Sequence, residues 1–281
     1  MPFIGRSGHF GRVGSTNDIV RGWLADGTPE VCLATADEQV AGRGRSGRTW
    51  QAPVGSSILL SLGFRPTWLA PERTWRLAAV AAMAMAEAAE EVAVLPPGTI
   101  RLKWPNDLVV EDGGPTDPRV GTLRKLGGVL GETDGLGTGA PRAVVGIGLN
   151  AAWPATDFPP DLAAGMTSLA EVSGGRPIDR DALVAGFVDR LGPLVDGMRR
   201  GSFPAEAWAG LQVTTGRTIR LETADGPRMV EAIGVEPESG ALLVAEDGSS
   251  PARRAVLSGE IVHVRVVVSG VAPAPPATGR V

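Results

Sequence analysis

The stretch Gln39 to Trp50, QVAGRGRSGRTW, constrains this chain more than any other. Gly42, Gly44 and Gly47 free the backbone for close approach to a ligand, and Arg43, Arg45 and Arg48 add fixed positive charge among them. Such a segment is suited to closing over an anion. Its string Gly42-Arg-Gly44-Arg-Ser-Gly47 satisfies G-x-G-x-x-G, which in a dinucleotide-binding fold lies between a strand and the N-terminus of a helix. A strand candidate precedes it, VCLATAD at 31–37. On its C-terminal side, Thr49-Trp50-Gln51-Ala52-Pro53-Val54-Gly55 has Pro and Gly punctuation and no helical period. Arginine also fills positions where that fingerprint uses bare backbone donors. A Rossmann turn is therefore rejected, which leaves a basic surface loop or a flap over an anionic ligand.

The rest of the composition is acidic: the net charge is -4 and the pI about 5.4 over 281 residues. A general nucleic-acid surface would need a basic face, so the arginine cluster is a local feature suited to a small anion. A single cysteine, Cys32, excludes a disulfide framework, and His9 and His263 are too far apart in sequence to suggest a zinc site. No G-x-S-x-G elbow, signal core or membrane-length apolar run is present, so the expected compartment is the cytoplasm.

Along the chain, Gly14-Ser15-Thr16-Asn17 opens a helix whose Ile19, Val20, Trp23 and Leu24 recur at helical spacing until Gly27. Capping accounts for one of the two hydroxyls; the other, with Asn17, could point into a pocket. SSILLSLGF at 56–64 reads as a buried strand, and Pro71 to Val92 as a helix with an Ala/Met/Leu face. In TIRLKWPNDLVV at 99–110 the strand must stop or bulge at Pro105. Lys103, Asn106 and Asp107 then gather at a strand end, either as a plain turn or as a site. Residues 111–124 read as a surface excursion.

KLGGVLGE at 125–132 and AVVGIGLN at 143–150 read as strands bearing Gly127, Gly128, Gly146 and Gly148. Glycines in neighbouring strands suggest that something packs directly on the sheet, ordinary bulges being the other account. Asp179 to Met198 reads as an amphipathic helix that Pro193 should kink or break in two. After about Leu211 the texture changes to short strands with Asp225-Gly226 and Asp247-Gly248 turns, as in a small SH3-like barrel. The tail from Ser269 lacks apolar content and is expected to be disordered. The domains expected are 1–210, 211–268 and the tail 269–281.

The order GSTN, QVAGRGRSGRTW, KWPNDL, KLGGVLGE and GIGLN resembles the biotin protein ligases. The resemblance covers most of residues 10–268 and implies an α+β fold: a mixed central sheet flanked by helices, like that of class II aminoacyl-tRNA synthetases, with a C-terminal SH3-like barrel. It also implies a two-step ligation, in which biotin and ATP give biotinyl-5′-AMP and the biotin passes to a lysine of a biotin carboxyl carrier domain.

By that resemblance, Lys125 approaches the biotin carboxylate and the α-phosphate, and Arg43 and Arg45 bind phosphate and carboxylate oxygens as the flap closes. Ser15, Thr16, Asn17 and Gln39 match the ureido side, with Gly42, Trp50 and Gly128 lining the biotin pocket. Asn150 matches a residue near adenine. Lys103, Asn106 and Asp107 match the nucleotide and Mg²⁺ side, with Asp107 the metal candidate. The resemblance also implies a monomer or a homodimer. Only about a dozen residues precede the first motif, so a ligase without a DNA-binding repressor domain is expected. Lipoate ligases share fold and chemistry but would carry an Arg-Arg and triple-glycine signature. A non-enzymatic biotin sensor would not need both Lys125 and the arginines.

Overall fold

The computed structural model describes residues 3–112, 122–223, 226–245 and 253–257, and the backbone of 261–266. A seven-stranded mixed sheet forms its centre. Its strands are β1 (Arg6–Val13), β2 (Cys32–Gln39), β5 (Ser57–Phe64), β6 (Ile100–Lys103), β7 (Asp107–Glu111), β8 (Leu123–Asp134) and β9 (Arg142–Asn150). They lie in the order β1-β2-β5-β9-β8-β7-β6; β1 and β2 are parallel and all other neighbours antiparallel. Two-residue strands β3 (Gly42–Arg43) and β4 (Thr49–Trp50) pair apart from it as the base of the arginine flap.

Strand alternation divides the sheet into two unlike faces. On β9, Ala143, Val145, Ile147 and Leu149 point into the main core, where Ala-rich α2 (Trp75–Val92) and α4 (Arg180–Arg199) cover them. On the other face, α1 (Thr16–Ala25) sets Val20 and Leu24 on Cys32, Ala34 and Val144. Beyond the N-terminus of α1 that face carries Gly146 and Gly148, and there the sheet is open to a cleft.

The helix expected over 179–198 is capped by Asp179, whose carboxylate accepts from the amides of Asp181 and Ala182 (both 3.0 Å). It is not broken at Pro193: α4 runs unbroken to Arg199. Leu191, Gly192 and Val195 are buried on either side of the proline, and this packing outweighs the lost helical hydrogen bond. Of the excursion at 111–124, residues 113–121 lie outside the described residues. Its last two residues already belong to β8, where Arg124 pairs with Asp112 (2.8 Å) and Glu171.

After the short helices α3 (Leu169–Val172) and α5 (Ala205–Gly210), the chain forms a five-stranded antiparallel sheet. Its strands are β10 (Arg217–Thr223), β11 (Gly226–Val235), β12 (Leu242–Ala245), β13 (Arg253–Val256) and β14 (Ile261–Val266). The order is β13-β12-β11-β10-β14, an open sheet among the described residues rather than the closed barrel expected. Thr223 pairs with Gly226, so Gly226 of the expected Asp225-Gly226 turn already belongs to β11, after residues 224 and 225. Those two residues, the Asp247-Gly248 turn and the tail at 269–281 lie outside the described residues. No helix among the described residues is long and apolar enough to cross a membrane.

Trp104 locks this second sheet to the first. Its ring is 2 % exposed and belongs to the module's own core with Ile219, Leu221, Val230 and Val244. Its Nε1 donates to Gly240 O (2.9 Å), and its backbone N–H donates to Thr214 Oγ1 (2.9 Å). Buried Arg217 reinforces the joint by donating to both oxygens of Glu111 (2.7 and 2.8 Å). Because Trp104 directly follows Lys103, the module also positions the β6–β7 turn. Trp104→Ala is expected to lower stability by about 3–5 kcal/mol, the usual cost of emptying a buried aromatic site; equilibrium denaturant unfolding measures it, and a loss below about 1 kcal/mol would show that the ring does not hold the joint.

Candidate active site

The cleft has a volume of roughly 1540 Å³ and spreads over the glycine-bearing part of the sheet. Glycine is required there because other side chains occupy the space. A Cβ on Gly146 would collide with the Asn17 amide, and one on Gly148 with the Trp50 indole. Asn17 and Trp50 therefore lie directly on β9, and part of what the glycine strands accommodate is the protein itself.

At one end of the cleft the groups are uncharged and tightly connected. Thr16 donates to Gln39 Oε1 through its backbone N (2.7 Å) and its hydroxyl (3.0 Å), and that hydroxyl lies 2.7 Å from Ser61 Oγ. Ser61 donates to Asn17 Oδ1 (2.5 Å), whose Nδ2 donates to Glu132 (2.6 Å). Ser15 occupies the N-cap position of α1, yet no side-chain capping bond forms there. The hydroxyls expected at this helix start are buried and line the cleft. Sequence reasoning missed Ser61, one of two serines, with Ser57, on the α1-facing side of an otherwise apolar strand.

At the other end the groups are charged. Lys125 Nζ lies 2.6 Å from Asp107 Oδ1, and Lys103 Nζ lies 3.9 Å from Asp107 Oδ2, so one carboxylate is shared by two lysines. Lys125 Nζ is also 5.7 Å from the Trp50 ring centroid, within cation–π range. The β-bulge between Leu108 and Val109 lets Asp107 face Gly128 across the sheet, and there Lys125 and Asp107 are the nearest groups. Asn106 turns inward: its Nδ2 donates to Val129 O (2.8 Å) and its carbonyl accepts from Val129 N (2.9 Å), which braces the turn.

The arginine loop is a small hairpin. Gly42 pairs with Trp50 and Arg43 with Thr49, and a turn at Arg45–Gly47 places Ser46 and Gly47 at φ 55° and 73°. Side chains are strained in that left-handed region, which explains a glycine at position 47. A Cβ on Gly42 would meet the Trp50 carbonyl. Arg45 and Arg48 line the cleft. Burial and the nearby charge of Arg48 both push the Arg45 guanidinium below its ordinary range, and Asp107 opposes them. This positive potential is relieved by an anion entering between flap and sheet.

Two expected ligand residues are engaged with the protein. Arg43 meets the carboxylates of Asp18 and Glu132. Asn150 is fully buried and donates to Thr167 O (3.0 Å), while Thr167 N donates to Lys125 O (2.9 Å); it braces the strand that carries Lys125. The expected metal residue Asp107 lies between two ammonium groups. Among the described residues no three His, Cys, Asp or Glu side chains gather as a metal cage.

The profile of the biotin/lipoate A/B protein ligase family matches residues 10–150. The biotin–[acetyl-CoA-carboxylase] ligase of Paracoccus denitrificans is 32% identical over 247 residues, covering 83% of this chain and 90% of that one. The bifunctional ligase/repressor BirA of Bacillus spizizenii is 29% identical over 241 residues, covering 84% and 68%. In fold the chain is similar to the biotin protein ligase of Aquifex aeolicus, solved in complex with biotin and ATP. The TM-score is 0.74 at 23% identity, with 94% of this chain and 100% of that one covered. The glycine-floored cleft with its arginine flap thus lies on a chain that belongs to the biotin/lipoate A/B protein ligase family, as one of its biotin protein ligases.

Proposed function

We propose that this cleft joins biotin to ATP and passes the activated biotin to a lysine of a biotin carboxyl carrier domain. One observation carries this reading: a single cleft connects a neutral donor–acceptor cluster at Thr16, Asn17, Gln39 and Ser61 to a cationic end at Lys103, Lys125 and Arg45. Biotin has the matching polarity, with a neutral ureido ring at one end, an apolar middle and a carboxylate at the other.

In the first step the biotin carboxylate attacks the α-phosphorus of ATP, pyrophosphate leaves and biotinyl-5′-AMP forms. Two anions must meet, so the residues lower their repulsion and hold them in line. Ser15, Thr16, Asn17 and Gln39 hold the ureido ring, and Trp50 walls the apolar middle. Gly128 leaves room beside Lys125, whose ammonium lies between the carboxylate and the α-phosphate. Arg45 closes from the flap onto phosphate oxygens with its planar donor fork. Lys103, Asn106 and Asp107 form the nucleotide side, and Asn150 supports it from beneath. Mg²⁺ carried by ATP would be held mostly by the phosphates and would neutralise their charge, and Asp107 would be the carboxylate offered to it.

In the second step a carrier lysine amine attacks the mixed anhydride carbonyl. An amide forms, AMP leaves and the amine proton is lost. The closed flap keeps water from the anhydride in between. Residues 1–210 supply these groups, and the second sheet holds the KWPND turn through Trp104.

Biotin should support ATP–pyrophosphate exchange where octanoate and lipoate do not; exchange with lipoate alone would assign the cleft to the other branch of the family. Lys125→Ala should slow adenylate formation by about 10²–10³ with the fold retained, as expected when a transition-state cation is removed, and an unchanged rate would take Lys125 out of the chemistry. Gly148→Val should drive Trp50 off the sheet and raise the KM for biotin about tenfold or more in the exchange assay, a size typical of overpacking. A parental KM would mean that Trp50 does not wall the biotin site.

A further inference from the structure

Four charged side chains from three elements converge at the mouth of the cleft. Arg43, at the base of the flap, donates Nη1 to Asp18 Oδ2 (2.9 Å) and Nη2 to Asp18 Oδ1 (2.7 Å), a planar fork matched to a carboxylate. Its Nη2 also lies 3.4 Å from Glu132 Oε2. Arg21 joins the same two acids: Nη1 lies 2.8 Å from Asp18 Oδ1 and Nη2 lies 2.9 Å from Glu132 Oε2. Two cations and two anions thereby tie the flap to the first turn of α1 and to β8. Through Glu132 the cluster also reaches Asn17 in the neutral end of the cleft (2.6 Å).

The positions of the two acids follow from the fold. Asp18 lies in the first turn of α1, on the exposed side of a helix whose buried side starts at Thr16 and Asn17. Glu132 is four residues past Gly128 on β8 and therefore points to the same face of the sheet. Arg43 is fixed in the flap by its pairing with Thr49. The pair with Arg43 holds the Asp18 carboxyl below the usual carboxylate range, so at neutral pH it is an anion.

We propose that Asp18 and Glu132 are positioning residues that clamp Arg43 and dock the base of the flap, so that Arg45 and Arg48 are presented to the phosphates of the adenylate. The inference rests on the ligase reading of the cleft and adds what holds its cover in place. Arg43 acts here as the pin of the flap and Arg45 as its ligand contact. Ion pairs this exposed add little to global stability. Their effect falls on the local equilibrium between docked and open flap, which governs how long an activated intermediate stays enclosed.

Asp18→Asn keeps the shape of the residue and removes its charge, and Asp18→Glu keeps the charge. In the protein without added ligand, limited trypsin cleavage after Arg45 and Arg48 should be about three- to tenfold faster for Asp18→Asn, with the thermal midpoint little changed and Asp18→Glu near the parent rate. With biotin and ATP added, Asp18→Asn should release its adenylate faster and raise biotin labelling of a bystander protein by a similar factor. Cleavage of Asp18→Asn at the parent rate would overturn the clamp. Faster cleavage with parental retention of the adenylate would overturn its part in the reaction. Cleavage is read without substrate, so a parent protein inactive in biotin-dependent exchange would refute the ligase reading and leave the test of the clamp intact.

Discussion

Steric room over β8 and β9 is the constraint on which the rest of the molecule depends. A strand presents alternate residues to opposite faces, so one run of sequence can build a core on one side and a floor on the other. AVVGIGLN does both: Val145, Ile147 and Leu149 face α2 and α4, while Gly146 and Gly148 face the cleft. Without a Cβ at those two positions, the Asn17 amide and the Trp50 indole lie directly on the sheet. The flap base is thus brought within reach of Lys125, whose Nζ lies 5.7 Å from the Trp50 ring centroid.

The cleft then separates two kinds of polarity. Its neutral end is a continuous chain of polar contacts among side chains, rigid because each group is held by the next. Its charged end shares one carboxylate between two lysines and brings arginines from above. A ligand with a neutral polar head and an anionic tail fits this gradient in one orientation only, and orientation is most of what joining two anions requires. The second sheet takes part through Trp104, which is anchored in the module's core and adjoins Lys103.

Much of the fold was legible because it depends on local pattern. The helical spacing of α1, the buried run of β5 and the alternation of β8 and β9 are written in consecutive residues. β1 was missed: RSGHFGRV forms an edge strand, mostly exposed, so it lacks the apolar alternation that marks a half-buried one. Pro193 predicted a kink or break from local geometry alone; the break is absent, because packing of its neighbours keeps α4 continuous. The hydroxyls at Ser15 and Thr16 were open to two readings because a cap and a pocket residue look alike until the partner is known. Gln39, 23 residues along the chain from Thr16, is that partner.

The amino-acid sequence by itself determined most of the strands and helices along the chain, the glycine floor, the cationic flap and the family signature, since each is a matter of residue type at short spacing. Only the tertiary structure decided that Arg43 pairs with Asp18 and Glu132, that Asn150 braces Lys125 from below, and that Trp104 belongs to the core of another sheet. These are contacts between residues far apart along the chain. Any of 31 acidic side chains could have met a given arginine, and the choice is made by which strands and helices the packed core brings together.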